Sequence, residues 1–235
     1  MKNNCQAMLP AMPSTACAIA CEACDLWTIC RSSRPPVTRG AGRRDRRAGF
    51  AWQIPAAAYL FRAGRPARAV YGVRQGTLKT VRISPDGDER VVAFHLPGDV
   101  VGLDALSTGR HSGDVIALEP SALCELPLTR LHGWSAEMPE LARSMLQLLS
   151  SAITEAWNRP ELTRGAVWQR VEGFIGDLSA RLEKRGLDGR HLWLSMSRAD
   201  IASFLDLRIE TISRTLRRLR DSDRIDVRGR RLVLQ

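Results

Sequence analysis

Four cysteines have the residue type and spacing of a metal site. Cys21, Cys24 and Cys30 follow one another with the spacing C-x2-C-x5-C, and Cys124 lies far downstream. Thiolates are the soft ligands that hold iron–sulfur clusters or zinc. Four of them can enclose one cubane cluster or one tetrahedral ion, so these residues predict a metal centre. Their spacing alone leaves open an iron–sulfur cluster, a structural zinc ion or a thiol-redox site.

A second pattern, towards the other end of the chain, predicts a helix-turn-helix at residues 195–220. Ser197 and Asp200 have the spacing of a capping box, which starts a helix. A second helix is expected at 208–220, followed by two short strands around Gly229 that would form a wing. The apolar side chains expected to face inward are Ile201, Leu205, Ile212, Leu216 and Leu219.

The second of these helices carries the candidate DNA contacts, because a recognition helix places outward side chains against base edges in the major groove. Arginine can pair with guanine through two hydrogen bonds, glutamate can accept from cytosine, and serine can contact either kind of partner. The outward residues expected to contact bases are Glu210, Ser213, Arg214 and Arg217. The residues placed better for phosphates are Thr211, Arg218 and Arg220. With the wing, this pattern favours double-stranded DNA binding over an ordinary helical bundle with a charged face.

The positive charge of the chain lies in two segments. The net charge of the 235 residues is +10, and the isoelectric point is about 10.2. Residues 31–47 contain seven arginines and one aspartate, and residues 164–235 contain sixteen basic and ten acidic residues. This distribution indicates a basic linker and a C-terminal domain suited to a polyanion.

The sequence contains no apolar stretch of the roughly 18–20 residues that a membrane span needs. Six cysteines would suit disulfides in a small secreted protein, but a DNA-binding chain of this length is expected in the reducing cytoplasm, where thiols bind metal. We therefore predict a cytoplasmic protein without a membrane partner.

The apolar pattern predicts an α+β chain. Short β-prone segments separated by glycine fill residues 58–128 and predict a sandwich or barrel. Pro160 should stop or kink the long helix that follows. The apolar stripe of that helix, which fits either core packing or a coiled-coil dimer seam, is Leu141, Met145, Leu148, Ala152 and Ala156, with Leu149 and Ile153 beside it. The predicted divisions are a cysteine-bearing arm and arginine-rich linker (1–49), a sensor domain (50–136), the long helix (137–163) and a DNA-binding domain (164–235).

The chain resembles the FNR branch of the CRP/FNR superfamily of bacterial transcription regulators over nearly its whole length. The resemblance is carried by the cysteine pattern that runs from Cys17 to Cys30, by the lone Cys124, by the segment 94–102, and by the E-x-x-S-R sequence that begins at Glu210. It implies an N-terminal β-roll sensor domain of the cyclic-nucleotide-binding type, a long dimerisation helix and a C-terminal winged helix-turn-helix.

The same resemblance implies the role of each cysteine. In FNR-like proteins an oxygen-labile [4Fe-4S] cluster is ligated by the cysteines that match Cys21, Cys24, Cys30 and Cys124. The cysteine that matches Cys17 is usually not a ligand, and Cys5 has no role that we can assign.

A mechanism follows from the resemblance. With the cluster intact at low oxygen, such a regulator forms a homodimer and binds a palindromic operator, and oxygen or nitric oxide attacks the cluster. The residues that match Glu210, Ser213 and Arg214 recognise a TTGAT-type half-site. The hairpin at residues 86–88 matches a loop that contacts RNA polymerase in such activators.

Other functions fit the sequence less well. Cyclic-nucleotide-binding relatives grip the phosphate with a Gly-Glu loop followed by Arg-Ser or Arg-Thr, but this chain has Gly98-Asp99 and then Arg110-His111-Ser112, so no cyclic nucleotide is expected. The cysteine spacing does not match that of a ferredoxin electron carrier. No nucleophile elbow, P-loop or metalloprotease motif indicates an enzyme. The remaining alternative is a regulator of the same fold with a structural zinc or thiol-redox site and a different signal.

Overall fold

The chain folds into a two-sheet β-roll, a long helix and a C-terminal winged helix-turn-helix. The structure, a computed structural model, describes residues 18–27, 29, 51–84, 86–129, 139–162 and 165–235. The predicted α+β architecture is confirmed. Among the described residues no helix combines the length and the apolar character that crossing a bilayer requires.

Two four-stranded antiparallel sheets form the β-roll. The first has the strand order β1 (Ala51–Ile54), β8 (Ser121–Pro127), β3 (Ala69–Gln75) and β6 (Val100–Val101). The second has the order β2 (Tyr59–Phe61), β7 (Asp114–Ala117), β4 (Leu78–Ile83) and β5 (Glu89–His95). The apolar core of the roll is Ile54, Val73, Leu78, Val101, Val115, Ala117 and Leu123.

The long helix α1 spans Pro139–Leu162 and therefore continues past Pro160. The helix thus ends two residues after Pro160 and not at Pro160 itself, because a proline in the last turn disrupts only that turn. Whether Pro160 kinks the helix stays a prediction.

The burial of the side chains on α1 differs from that expected for the predicted apolar stripe. Leu148 is buried and Met145 is half-buried, and both pack towards the β-roll. Ala156, predicted in the same stripe, is exposed. The large apolar side chains left exposed on α1 are Leu146, Ile153 and Trp157, at 69%, 50% and 75% exposure. Because these three are spaced by seven and four residues, they lie along one face of the helix.

The C-terminal domain begins with α2 (Val167–Lys184) and continues through β9 (His191–Trp193), α3 (Arg198–Leu205), α4 (Ile209–Asp221), β10 (Ile225–Arg228) and β11 (Arg231–Leu234). The predicted capping box is present, since the Asp200 amide donates to Ser197 Oγ at 3.0 Å and the Ser197 amide donates to Asp200 Oδ2 at 2.9 Å. The wing is the antiparallel pair β10–β11, which turns at Gly229 with φ +62°.

The C-terminal domain packs against the β-roll through a shared core. Val81, Val91, Phe94 and Leu96 of the roll belong to the same apolar cluster as the helices of the C-terminal domain. Polar contacts support it: Ser195 Oγ donates to the Glu119 carboxylate at 2.7 Å, and the Val91 amide donates to Ser203 Oγ at 2.9 Å. Within a protomer the sensor and DNA-binding parts therefore form one packed unit.

The contact between Lys79 and Asp200 across this interface predicts a pH-dependent stability. Lys79 Nζ lies 2.5 Å from Asp200 Oδ1, and both side chains are mostly buried. Burial alone would raise the pKa of Asp200, but hydrogen bonds from Lys79 and Ser197 lower it below its usual value. The ionised Asp200 carboxylate therefore stabilises the folded state. Its contribution is fully present above the usual aspartate pKa and is lost as the pH falls through the lower folded-state pKa.

We expect Asp200→Asn to lower the free energy of unfolding by about 1–2 kcal/mol at neutral pH. The difference from wild type should shrink on acidification, because protonation removes the same charge. Urea unfolding followed by circular dichroism at neutral and acidic pH measures both values, with Asp86→Asn on the exposed hairpin as the control. An equal loss at both pH values would contradict the assignment.

Candidate functional site

The cysteine-bearing segment formed by residues 18–27 and 29 lies against strand β3. The Ile19 amide donates to the Arg74 carbonyl at 3.0 Å, and the Asp25 amide donates to the Gly98 carbonyl at 3.0 Å. Between these two anchors, a short 3-10 helix spans Cys21–Ala23. We call residues 18–27 and 29 the arm.

The arm brings Cys24 over the strand position opposite Cys124. Gly72 on β3 pairs with Cys124 on β8, and directly opposed residues point to the same face of a sheet. Cys24 Sγ lies 3.2 Å from the point that a Cβ at Gly72 would occupy, and Leu26 Cδ1 lies 3.1 Å from it. The missing side chain of Gly72 therefore gives Cys24 and Leu26 the space in which they lie.

Cys21 is the second arm cysteine that lies near Cys124. Burial raises the pKa of the Cys124 thiol, and the nearby Cys21 raises it further. Arg74 opposes both effects through its positive charge and its hydrogen bond to Cys124. A cation placed against the sulfur would offset negative charge at a thiolate cluster.

The described thiols fit the chemistry of an iron–sulfur or zinc site, although they do not form a closed ligand set. Cys21, Cys24 and Cys124 are soft, half-buried donors gathered at β3 and β8. Within the described ranges, no three Cys, His, Asp or Glu side chains come together closely enough to hold a metal ion. The fourth predicted ligand, Cys30, lies outside the described residues, as do Cys5 and Cys17.

The arm also packs on the long helix. Leu26 and Ile29 are each 1% exposed, and their cluster contains Val70 and Leu126 of the β-roll and Leu148 of α1. Because apolar burial drives such packing, the position of the arm and the position of α1 depend on each other.

A cavity of about 350 Å³ lies between the β-roll and α1. Asp99 and Arg181 line it, and these two side chains pair with each other. The sequence expectation that no cyclic nucleotide binds stays a prediction.

The recognition helix α4 presents the predicted polar face. Glu210, Ser213, Arg214 and Arg217 are exposed, and Thr211 is half-buried. The opposite face is buried through Ile212, Thr215, Leu216 and Leu219. Whether these side chains contact bases stays a prediction.

Two arginines hold the elements around α4 in place. Arg170 of α2 donates to the carbonyls of Leu205 and Asp206, at the end of α3 where Asp206 adopts a left-handed φ of +56°. Arg198, at the start of α3, donates to the Gly229 carbonyl at the wing at 3.3 Å. Burial lowers the pKa of Arg198.

Two family patterns and several relatives match this architecture. Residues 51–135 match the cyclic nucleotide-binding domain, and residues 169–235 match the Crp-like helix-turn-helix domain. The Fumarate nitrate reduction regulatory protein of Klebsiella oxytoca is 35% identical over 226 residues, which cover 94% of this chain and 89% of that protein. Electron transport regulator A of Shewanella oneidensis is 32% identical over 225 residues, with 94% and 88% covered. The chain belongs to the CRP/FNR family of transcription regulators.

A solved structure of the family agrees with this assignment. FixK2 from Bradyrhizobium japonicum has a TM-score of 0.73 and 26% sequence identity, and the match covers 80% of this chain and 93% of that one. This CRP/FNR chain is therefore a DNA-binding transcription regulator and not an enzyme.

The structure adds residues to the site that the sequence analysis missed. Gly72 and Arg74 were not singled out, because their importance comes from the pairing of β3 with β8 and not from their own spacing. Asp25, directly after Cys24, was also missed, because its partner Arg185 lies far along the chain and no local pattern links the two. The nearest sequence signal was the break in apolar character at Gly72 and Arg74 within an otherwise β-prone segment.

The space at Gly72 predicts how the arm of this CRP/FNR chain can be displaced. We expect Gly72→Val to push Cys24 and Leu26 away from β3, with a loss of about 1–3 kcal/mol in the free energy of unfolding, as for other overpacked sites. Reaction of the Cys124 thiol with an alkylating reagent should speed up as the arm leaves.

The matched control for this change is Gly176→Val, which adds the same side chain on α2 where nothing lies within 4 Å of the new Cβ. Unchanged Cys124 reactivity and unchanged unfolding in Gly72→Val would show that the arm does not depend on this space.

Proposed function

We propose that this chain is an oxygen-responsive transcription regulator in which Cys21, Cys24, Cys30 and Cys124 hold a [4Fe-4S] cluster that controls dimerisation and operator binding. The observation that carries the proposal is that Cys21 lies near Cys124, which is far from it in sequence, and that Cys24 lies over Gly72, the strand position opposite Cys124. Arg74 lies next to the Cys124 thiol. The names of the relatives, which concern fumarate and nitrate reduction and electron transport, support a role in anaerobic regulation.

A [4Fe-4S] cluster bound there would supply the chemical sensitivity to oxygen, and nitric oxide would react with it as well. The chain's own residues would supply the response. The four thiolates would hold the arm on β3, and Leu26 and Ile29 of the arm would then remain packed on Leu148 of α1. Release of the arm would expose Leu26 and Ile29 and remove their packing against α1.

Helix α1 carries the surface that would form the homodimer. The exposed stripe of Leu146, Ile153 and Trp157 has the spacing of a helix–helix seam. A second copy of α1 would cover these side chains. Since the opposite face of α1 packs on the arm, movement of the arm would alter the geometry of the seam.

The homodimer would bind a palindromic TTGAT-type operator through two copies of α4. Glu210, Ser213 and Arg214, which are exposed, would contact base edges. Arg217 would lie next to them in the groove, and Thr211 would contact the phosphate backbone of the DNA. The hairpin between β4 and β5 is exposed, with the Gly87 amide donating to the Ser84 carbonyl at 2.9 Å, and it would contact RNA polymerase.

A regulator with the same fold and a structural zinc or thiol-redox site is the second candidate. It is favoured by the same grouping of thiols, because zinc also accepts four cysteine ligands. Metal and sulfide analysis separates the two, since only the cluster contains inorganic sulfide.

We expect Cys124→Ser to abolish iron binding and to leave a folded protein, because serine is a poor ligand for iron–sulfur clusters and Cys124 lies in a strand with other pairing partners. Anaerobically purified wild type should contain about four irons per chain. Iron, zinc and sulfide analysis measures the bound metal, and circular dichroism shows whether the variant is folded. Cys5→Ser is the control.

Unchanged iron in Cys124→Ser would contradict the ligand assignment. One zinc per chain without sulfide in the wild type would favour the second candidate.

We expect Arg214→Ala to weaken operator binding by about 1–3 kcal/mol, the range of one bidentate base contact. Binding to non-specific DNA should change little. Arg218→Ala is the matched comparison, because a phosphate contact should contribute equally to specific and non-specific binding, so both should weaken. The slope of the logarithm of the binding constant against the logarithm of the salt concentration should fall in magnitude by about one. Gel-shift titrations at several salt concentrations measure these values, and an unchanged operator affinity in Arg214→Ala would overturn its role.

A further inference from the structure

The arm makes a direct ion pair with the DNA-binding domain of the same protomer. Asp25 follows Cys24, and Arg185 follows the last residue of α2. Arg185 Nη1 donates to Asp25 Oδ1 at 2.8 Å, and Nη2 donates to Asp25 Oδ2, so the pair is bidentate. The same Nη1 also donates to the Ala23 carbonyl at 2.9 Å. Arg185 thus binds the short segment that contains Cys24.

The environment of Arg185 makes this pair stronger than a surface salt bridge. The Arg185 side chain is only 9% exposed. Burial alone would lower the pKa of Arg185, but the hydrogen bond and charge of Asp25 raise it, with Asp99 and Cys24 adding to the effect. A Cβ at Gly98 would overlap the guanidinium group, so the glycine provides the space for it. Partly buried bidentate pairs of this kind are both stronger and more specific in geometry than exposed ones.

Asp25 is the partner of Arg185 that depends on the arm. Asp99 of the β-roll lies 3.7 Å from Arg185 but pairs directly with Arg181, one turn earlier on α2. Arg181 also donates to the Phe94 carbonyl at 2.9 Å. If the arm left β3, Arg181 would keep its contacts with Asp99 and the Phe94 carbonyl, whereas Arg185 would lose its bidentate carboxylate and the Ala23 carbonyl.

We propose that the Asp25–Arg185 pair links the cysteine arm directly to the DNA-binding domain, so that seating of the arm holds the end of α2 in place within one protomer. This coupling would act in addition to the packing of the arm on α1. It rests on the proposed function, in which the cysteine site controls the arm. Arg185 is a positioning residue here, because in the proposed mechanism it acts through the segment that contains Cys24 and does not touch DNA.

Hydrogen exchange at the end of α2 tests the link directly. The amides of Gly186 and Leu187 donate to the carbonyls of Glu183 and Leu182 at 2.9 and 3.0 Å, so they report whether this helix end stays closed. In the anaerobic full-length protein, Asp25→Asn and Arg185→Gln should each speed exchange at these amides on the order of tenfold. The double variant should exchange no faster than the faster single variant, because both changes remove the same pair. Glu22→Gln, exposed on the same arm, is the control.

Operator binding distinguishes this link from a general loosening of the fold. Asp25→Asn should weaken operator affinity on the order of tenfold while the monomer–dimer constant from sedimentation stays at the wild-type value. Exchange in Asp25→Asn equal to wild type, or additive effects in the double variant, would overturn the proposal. A parallel change in the dimer constant would overturn it as well, because the arm would then act through α1.

Air exposure of the wild type separates this proposal from the proposed function. If the protein holds iron and air exposure speeds exchange at Gly186 and Leu187, the link responds to the cysteine site as proposed. If it holds iron and exchange does not change, the link fails and the proposed function stands. If the wild type holds no iron, the proposed function fails, while the double-variant comparison still decides whether Asp25 and Arg185 are coupled.

Discussion

Burial of Leu26 and Ile29 against β3, β8 and α1 is the contact on which the other functional parts depend. These two side chains belong to the arm, which is held in place by this apolar packing, by the backbone hydrogen bonds of Ile19 and Asp25, and by the Asp25–Arg185 pair. The same segment carries Cys21 and Cys24. A chemical change at Cys21 or Cys24 would therefore act on the segment that these contacts hold in place, and the loss of a few such contacts can open a segment locally.

Two connections lead from the arm to the parts that bind DNA. One is apolar and passes through Leu148 to α1, whose outer face would form the dimer. The other is electrostatic and passes through Asp25 to Arg185 at the end of α2. The DNA-binding domain also shares an apolar core with the β-roll, to which Phe94 belongs. A large movement of the DNA-binding domain would disrupt the packing of this core. Small displacements of packed elements, and not free domain motion, are thus the expected form of the response.

Local patterns predicted much of the fold and less of the site. The winged helix-turn-helix followed from the capping box, the helical period and Gly229, all of which act over a few residues. Strands β1 and β9, with four and three residues, lie outside the segment 58–128 that was predicted to be β-rich, because pairing with distant strands and not their own pattern holds them. The cysteines were visible from residue type, but the space at Gly72 and the cation at Arg74 arise from strand register. On α1 the period was recognised, but the exposed face was not, because periodicity does not say which neighbours cover a stripe.

The most direct test of the account follows iron, inorganic sulfide and operator affinity together in one anaerobic sample before and after exposure to air. We expect about four irons and matching sulfide per chain, an absorption band that bleaches in air, and a fall in operator affinity that parallels the loss of iron. Operator affinity that stays constant while the iron is lost would contradict the claim that the cysteine site controls DNA binding through the arm.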